Sequence, residues 1–119
     1  MKDQTFEKLE IWQEAVELAV RVYDLFRPCR DFEFRAQIQK AAVSVSSNIA
    51  EGYERSSNAD FIRFLDIARG SCGEVRSQAY LAERLKLLVE ADARTLINDA
   101  KRLSKRIARL MEIRRRDFK

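Results

Sequence analysis

FIRFLDIARGSCGEVRSQAYLA, Phe61 to Ala82, is the stretch on which the fold turns. Phe61, Leu65, Ala68, Cys72, Val75, Ala79 and Ala82 recur at alternating steps of four and three, the spacing that lines side chains along one face of an α-helix. A stripe kept this strictly packs against other helices as in a bundle. Ser57 or Asn58 caps its start, because Ser57-Asn58-Ala59-Asp60 resembles a capping box with Asp in place of Glu. The spacing predicts a helix over residues 58–86.

Upstream, Asp31 is placed to cap a helix over 33–52 that carries Phe34, Ile38, Ala41, Val45 and Ile49 and is ended by Gly52. A first helix over 7–26 stops at Arg27-Pro28, since proline cannot extend it. Its apolar residues form two adjacent stripes: Leu9, Trp12, Val16, Ala19, Tyr23 and Phe26, with Ile11, Ala15, Leu18, Val22 and Leu25 beside them. One stripe suffices for a surface helix, so this one is either central in the bundle or also covered by another subunit, and the second is the expectation. Downstream of Leu87-Leu88-Val89, Asp92 caps a last helix over 92–114 with Leu96, Ala100, Leu103, Ile107 and Leu110, and the remaining residues 114–119 are expected to fray. Short links between long helices predict an all-α, antiparallel up-and-down four-helix bundle, with residues 1–119 as a single domain.

Composition agrees. Three glycines and one proline are too few for a turn-rich sandwich or barrel, while 46% apolar and 35% charged residues suit amphipathic helices. There is no histidine, and Cys29 and Cys72 lack metal-ligand spacing, so no metal site or cofactor is expected. Cys72 lies on the apolar stripe, whereas Cys29 falls in a linker that looks exposed. No run is long and apolar enough for a membrane span or a signal sequence, which points to a cytoplasmic protein with no membrane partner. From Lys101 to Lys119 nine Lys and Arg stand against Glu112 and Asp117, a surplus of +7; the preceding hundred residues hold 14 basic and 17 acidic side chains. Such a basic end can serve a polyanion. It also complements the macrodipole of its own helix.

The second helix bears a polar stripe of Gln37, Ala41, Ser44, Asn48 and Glu51 beside its apolar one, and the third offers Ser71, Glu74 and Gln78. Gly70 and Gly73 in mid-helix cost roughly 1 kcal/mol each relative to alanine, so a neighbouring backbone is expected to approach them closely. A buried Glu51 or Glu74 needs a cation or converging donors, and Arg55, Arg69 and Arg76 are the candidates. The expectation is a buried network of Ser44, Asn48, Glu51, Ser71 and Glu74, with Arg55 as partner, that fixes helix register. Catalysis has little support. A nucleophilic serine needs a base, histidine is absent, and Lys40 is the sole nearby lysine on that helix. Carboxylate pairs lack the Glu-x-x-His pattern of bundle metal sites, and no phosphate-cradling glycine loop precedes a helix.

Phe6, Leu9, Trp12 and Tyr23, then Gln37-Ile38 with Ala41-Ala42, Ser44 followed by Asn48-Ile49-Ala50-Glu51-Gly52, Arg55, and Ile67-Ala68 with Gly70-Ser71 and Glu74 form a combined pattern from Phe6 to about Leu88. In it the chain resembles the four-helix-bundle proteins encoded in 23S rRNA intervening sequences, the S23 ribosomal protein-like family. Ser46 stands where many members have proline, and Gln39-Lys40 where arginines are common. The resemblance implies a bundle that assembles as a ring-like homopentamer, and it does not imply an enzyme; none is expected. It also implies kinship with accessory proteins of diversity-generating retroelements, which bind nucleic acid and a reverse transcriptase.

The function expected is non-catalytic binding of RNA or DNA by an oligomer. Lys101, Arg102, Lys105, Arg106, Arg109, Arg114, Arg115 and Arg116 are the expected phosphate contacts, and with Phe118 the sole aromatic residue near them sequence-specific readout is not expected. The alternative is an interaction scaffold, or accessory subunit, whose basic face is simply solvated.

Overall fold

A computed structural model describes residues 5–117. A single 3₁₀ turn, Phe6–Lys8, leads into α1 (Glu10–Leu25), α2 (Phe32–Tyr53), α3 (Asn58–Arg84) and α4 (Glu90–Asp117). No strand occurs among the described residues. Each helix packs on its neighbours in chain order, and α4 closes back on α1. Pairs such as Ser44 with Ser71, Glu83 with Arg94 and Asn58 with Arg114 run antiparallel. The result is an up-and-down bundle measuring 47 × 22 × 19 Å.

The caps on α2 and α3 are those the sequence predicts. Asp31 accepts a hydrogen bond from the Phe34 backbone N–H at 3.1 Å, and Ser57 accepts one from that of Asp60 at 3.1 Å. Each supplies an acceptor to a helix start that would otherwise leave donors unmatched. The other ends differ from expectation. The first helix is shorter, because Phe6–Lys8 forms a separate turn and Leu9 is extended before Glu10. Gly52 does not end α2: it lies inside the helix, and no glycine has positive φ. Asp92 is not a cap but belongs to the first turn of α4, where its charge faces the helix's positive end. Arg114, Arg115 and Arg116 are helical rather than frayed, whereas Phe118 and Lys119 lie outside the described residues.

The stop of α3 is a Schellman arrangement. Leu87 N–H donates to Ala82 C=O at 2.8 Å and Lys86 N–H to Glu83 C=O at 3.0 Å, with Lys86 at φ 62°. Lysine thus occupies a left-handed position that glycine takes without strain.

All seven residues of the α3 stripe are buried, as are Ile38, Ala41, Val45 and Ile49 of α2 and Leu96, Ala100, Leu103 and Ile107 of α4. Met111 joins them, while Leu110 is half-covered. On α1, Ile11, Ala15, Leu18 and Val22 enter the core and Phe26 anchors the following turn, its ring 5.9 Å from that of Phe34. The outer stripe, Phe26 apart, is only partly covered: Leu9, Trp12, Val16 and Ala19 are half-covered and Tyr23 is 44% exposed, with Val20 beside it 55% exposed. Cys29 is buried, not exposed, and its thiol points at the Asp31 carbonyl, 3.6 Å away.

Candidate functional site

The polar stripes of α2 and α3 meet through their small residues. Ser44 Oγ lies 2.9 Å from Ser71 Oγ. Asn48 Nδ2 donates to the Ser44 carbonyl at 2.8 Å and to Ser44 Oγ at 2.9 Å. Ser71 is 6% exposed and Asn48 and Ser44 are half-buried; the Ser44–Ser71 bond ties the helices together, and Asn48 braces Ser44 within α2, all with neutral hydrogen bonds. The carboxylates do not join them. Glu51 and Glu74 are exposed, and Glu51 instead accepts from Arg55 Nη2, one turn on, at 2.9 Å. Desolvating a carboxylate costs several kcal/mol, whereas one step around the helix leaves it in water. Arg69 pairs with Asp66 at 3.2 Å rather than with the seam.

The close-packing glycine is also a different one. A Cβ added at Gly70 or Gly73 would meet nothing within 4 Å. A Cβ at Gly52 would lie 2.6 Å from Phe64 Cβ and 3.2 Å from Phe61 Cδ1. Gly52 is therefore where α2 and α3 converge. Its signal was in the sequence: Val45, Ile49 and Gly52 continue the four-three stripe, and a glycine in step with core residues is a packing position. Aromatic rings surround it. Tyr53 and Phe61 meet edge to face at 5.5 Å, and the guanidiniums of Arg55 and Arg63 stand 4.8 and 4.6 Å from the Phe64 centroid.

Above the seam, Gln37, Lys40, Ser44, Glu74 and Gln78 line an open recess of about 290 Å³. Gln78 Oε1 is buried there with no hydrogen-bond partner among the described residues. Lys40 is exposed and the Ser44 hydroxyl is engaged with Asn48 and Ser71, an arrangement unlike an activated nucleophile. Burial pushes the Cys72 thiol up to about 12, against a smaller opposing pull from Arg76, so it is protonated at neutral pH. Among the described residues no group of acidic or cysteine side chains could hold a metal ion. No helix among them is long and apolar enough to cross a membrane.

The basic residues of α4 divide into two sets. Arg106 is taken up by α1, bonding Glu10 at 2.7 Å and also Glu14, and these acids, the Glu10 hydrogen bond foremost, raise its pKa further. Arg114 donates Nε to Asn58 Oδ1 at 2.7 Å, receives the Asn58 amide on its carbonyl at 3.0 Å, and lies 4.9 Å from the Phe61 centroid. Both are engaged within the bundle. Arg102 pairs with Asp99 at 3.1 Å, and Arg116 with Asp117 at 3.1 Å. Lys101, Lys105, Arg109 and Arg115 are exposed and make no ion pair among the described residues. Lys101, Lys105 and Arg109 recur every fourth residue, forming one outward row opposite Leu96, Ala100, Leu103 and Ile107.

No curated protein matches the chain by sequence. Among solved structures, it is similar to the 1.70 Å crystal structure of a protein of unknown function from the S23 ribosomal protein family of Bacteroides thetaiotaomicron VPI-5482. The two share 24% identity with a TM-score of 0.79, covering 85% of this chain and 97% of the other. The four-helix bundle is thus common to both. The family described as 23S rRNA-intervening sequence protein matches residues 7–109, nearly the whole bundle, and the chain belongs to that family.

Proposed function

We propose that this protein is a non-catalytic, oligomeric nucleic-acid-binding protein that works in the cytoplasm. The observation that carries the reading is the outward row Lys101, Lys105 and Arg109, cations without a carboxylate partner along one face of α4. Arg102, Arg115 and Arg116 flank it. Such a row meets phosphates at regular intervals and reads no bases, because the described part of α4 carries no aromatic ring on which bases could stack. Oligomerisation is supported by the partly covered outer stripe of α1, with Tyr23 and the adjoining Val20 exposed. A ring-like homopentamer is the assembly proposed, and it multiplies the field of a modest row.

Fluorescence anisotropy with a labelled structured RNA and a labelled DNA duplex tests the reading. Joint replacement of Lys101, Lys105 and Arg109 by glutamate is expected to abolish binding to both, whereas Arg106→Gln leaves it nearly unchanged. Equal binding by the triple variant overturns the proposal.

A further inference from the structure

Where α1 begins and α4 ends, the surface holds an open groove of about 430 Å³. Leu9, Ile11, Leu110 and Ile113 form its apolar floor. Lys8, Lys105 and Arg109 stand on its rim, exposed and without an ion pair among the described residues. Glu10 is the carboxylate on this rim, and Arg106 already holds it at 2.7 Å. The groove therefore presents aliphatic surface inside a ring of unneutralised positive charge.

A nucleic acid matches half of that. Phosphates would satisfy the rim, but aliphatic side chains offer bases no ring to stack on, and the floor would stay wet. An acidic peptide with a bulky apolar side chain matches both parts, burying the side chain on the floor and setting carboxylates against the cations. The charge also selects the end of the molecule. A second groove, about 520 Å³, lies along α1 beside the start of α4 with Val16, Val20 and Leu25; Glu17, Arg21, Asp24 and Asp92 rim it, Arg21 being held by Asp99 and Asp24 by Arg27 at 2.7 Å. Glu17 and Asp92 make no ion pair among the described residues, so this rim is net negative and disfavours the same peptide.

We propose that the groove between the start of α1 and the end of α4 docks an acidic, apolar-anchored segment of a protein partner. Lys105 and Arg109 belong both to this groove and to the row proposed for nucleic acid, so the two ligands compete. Docking itself does not depend on nucleic-acid binding.

The probe is a fluorescein-labelled acidic peptide with leucine and phenylalanine at i and i+4, beside one copy with serine at both positions and one with lysine for every acid. Binding to the full chain is followed by anisotropy, with circular dichroism confirming that each variant folds. The expected result is saturable binding, roughly tenfold weaker for the serine copy and for Ile113→Ser, and lost for the lysine copy and for Lys8→Glu with Arg109→Glu. Ile113→Ser should still bind RNA as the wild type does if RNA is a ligand. If RNA proves inert while the peptide binds, the nucleic-acid reading fails and this one stands. Absence of peptide binding overturns the proposal. So does equal binding by the serine copy or by Ile113→Ser, which shows simple polyanion capture. Dissociation of an oligomer by Ile113→Ser, with no peptide bound, shows that a second copy covers the groove and also overturns it.

Discussion

A methyl group at Gly52 has nowhere to go. With Phe64 Cβ 2.6 Å from the added atom, α2 and α3 must separate, and overpacking of this kind costs about 1–3 kcal/mol. Gly52→Ala is expected to lower the urea midpoint despite alanine's better helix propensity, while Gly70→Ala and Gly73→Ala should each raise the midpoint, with a gain in stability of about 1 kcal/mol. The same chemical change thus has opposite signs at positions whose difference is tertiary. Cys72 makes a second prediction. Its folded thiol titrates near 12 against an ordinary 9.0, so between those values the unfolded chain loses a proton that the folded one keeps. Stability should fall by about 1.4 kcal/mol per pH unit in that window. Urea titrations under reducing conditions should show this slope in the wild type relative to Cys72→Ala. Sequence spacing was enough to place Cys72 in the core and to bring Ser44, Asn48 and Ser71 to one seam. It could not place Glu51 and Glu74, because a carboxylate beside a polar stripe faces protein or water according to a rotation of tens of degrees.

Element types followed from periodicity, and the caps at Asp31 and Ser57 from local chemistry. The ends of α3 and α4 were harder to read. Lys86 in a left-handed conformation has no sequence signature, since the Schellman bonds to Ala82 and Glu83 override lysine's own preference. Relief of that strain gives an element-scale prediction: Lys86→Gly should stabilise the protein by about 1 kcal/mol in chemical denaturation. The last turn of α4 persists because Arg114 is bound to Asn58 and stacked near Phe61, partners 56 residues away along the chain for Asn58. Fraying was the local expectation, and a long-range contact reverses it. Arg106 repeats the lesson, since a basic residue in a basic helix looks free until Glu10 and Glu14 of α1 come alongside.

For the whole molecule, two open surfaces set the behaviour. If the outer stripe of α1 is covered by neighbouring subunits in the proposed homopentamer, light scattering should find about five times the protomer mass of 13.9 kDa. Val20→Glu with Tyr23→Glu should return that mass to the protomer's, with helicity kept. The family and the bundle were both legible in the sequence, through a motif spread over two helices and a stripe kept in strict step. Which cations of α4 remain available was not, because availability is a property of what packs beside them. The salt dependence of RNA binding tests that division most directly. Counterion release predicts that log K falls linearly with log salt concentration, with a slope of about −0.7 to −0.9 per phosphate contacted. The wild type should give a steep line, and replacing Lys101, Lys105 and Arg109 by glutamate should abolish binding or flatten the slope by about 2–3 units per protomer engaged. Salt-independent binding, or an unchanged slope in the triple variant, would contradict the account.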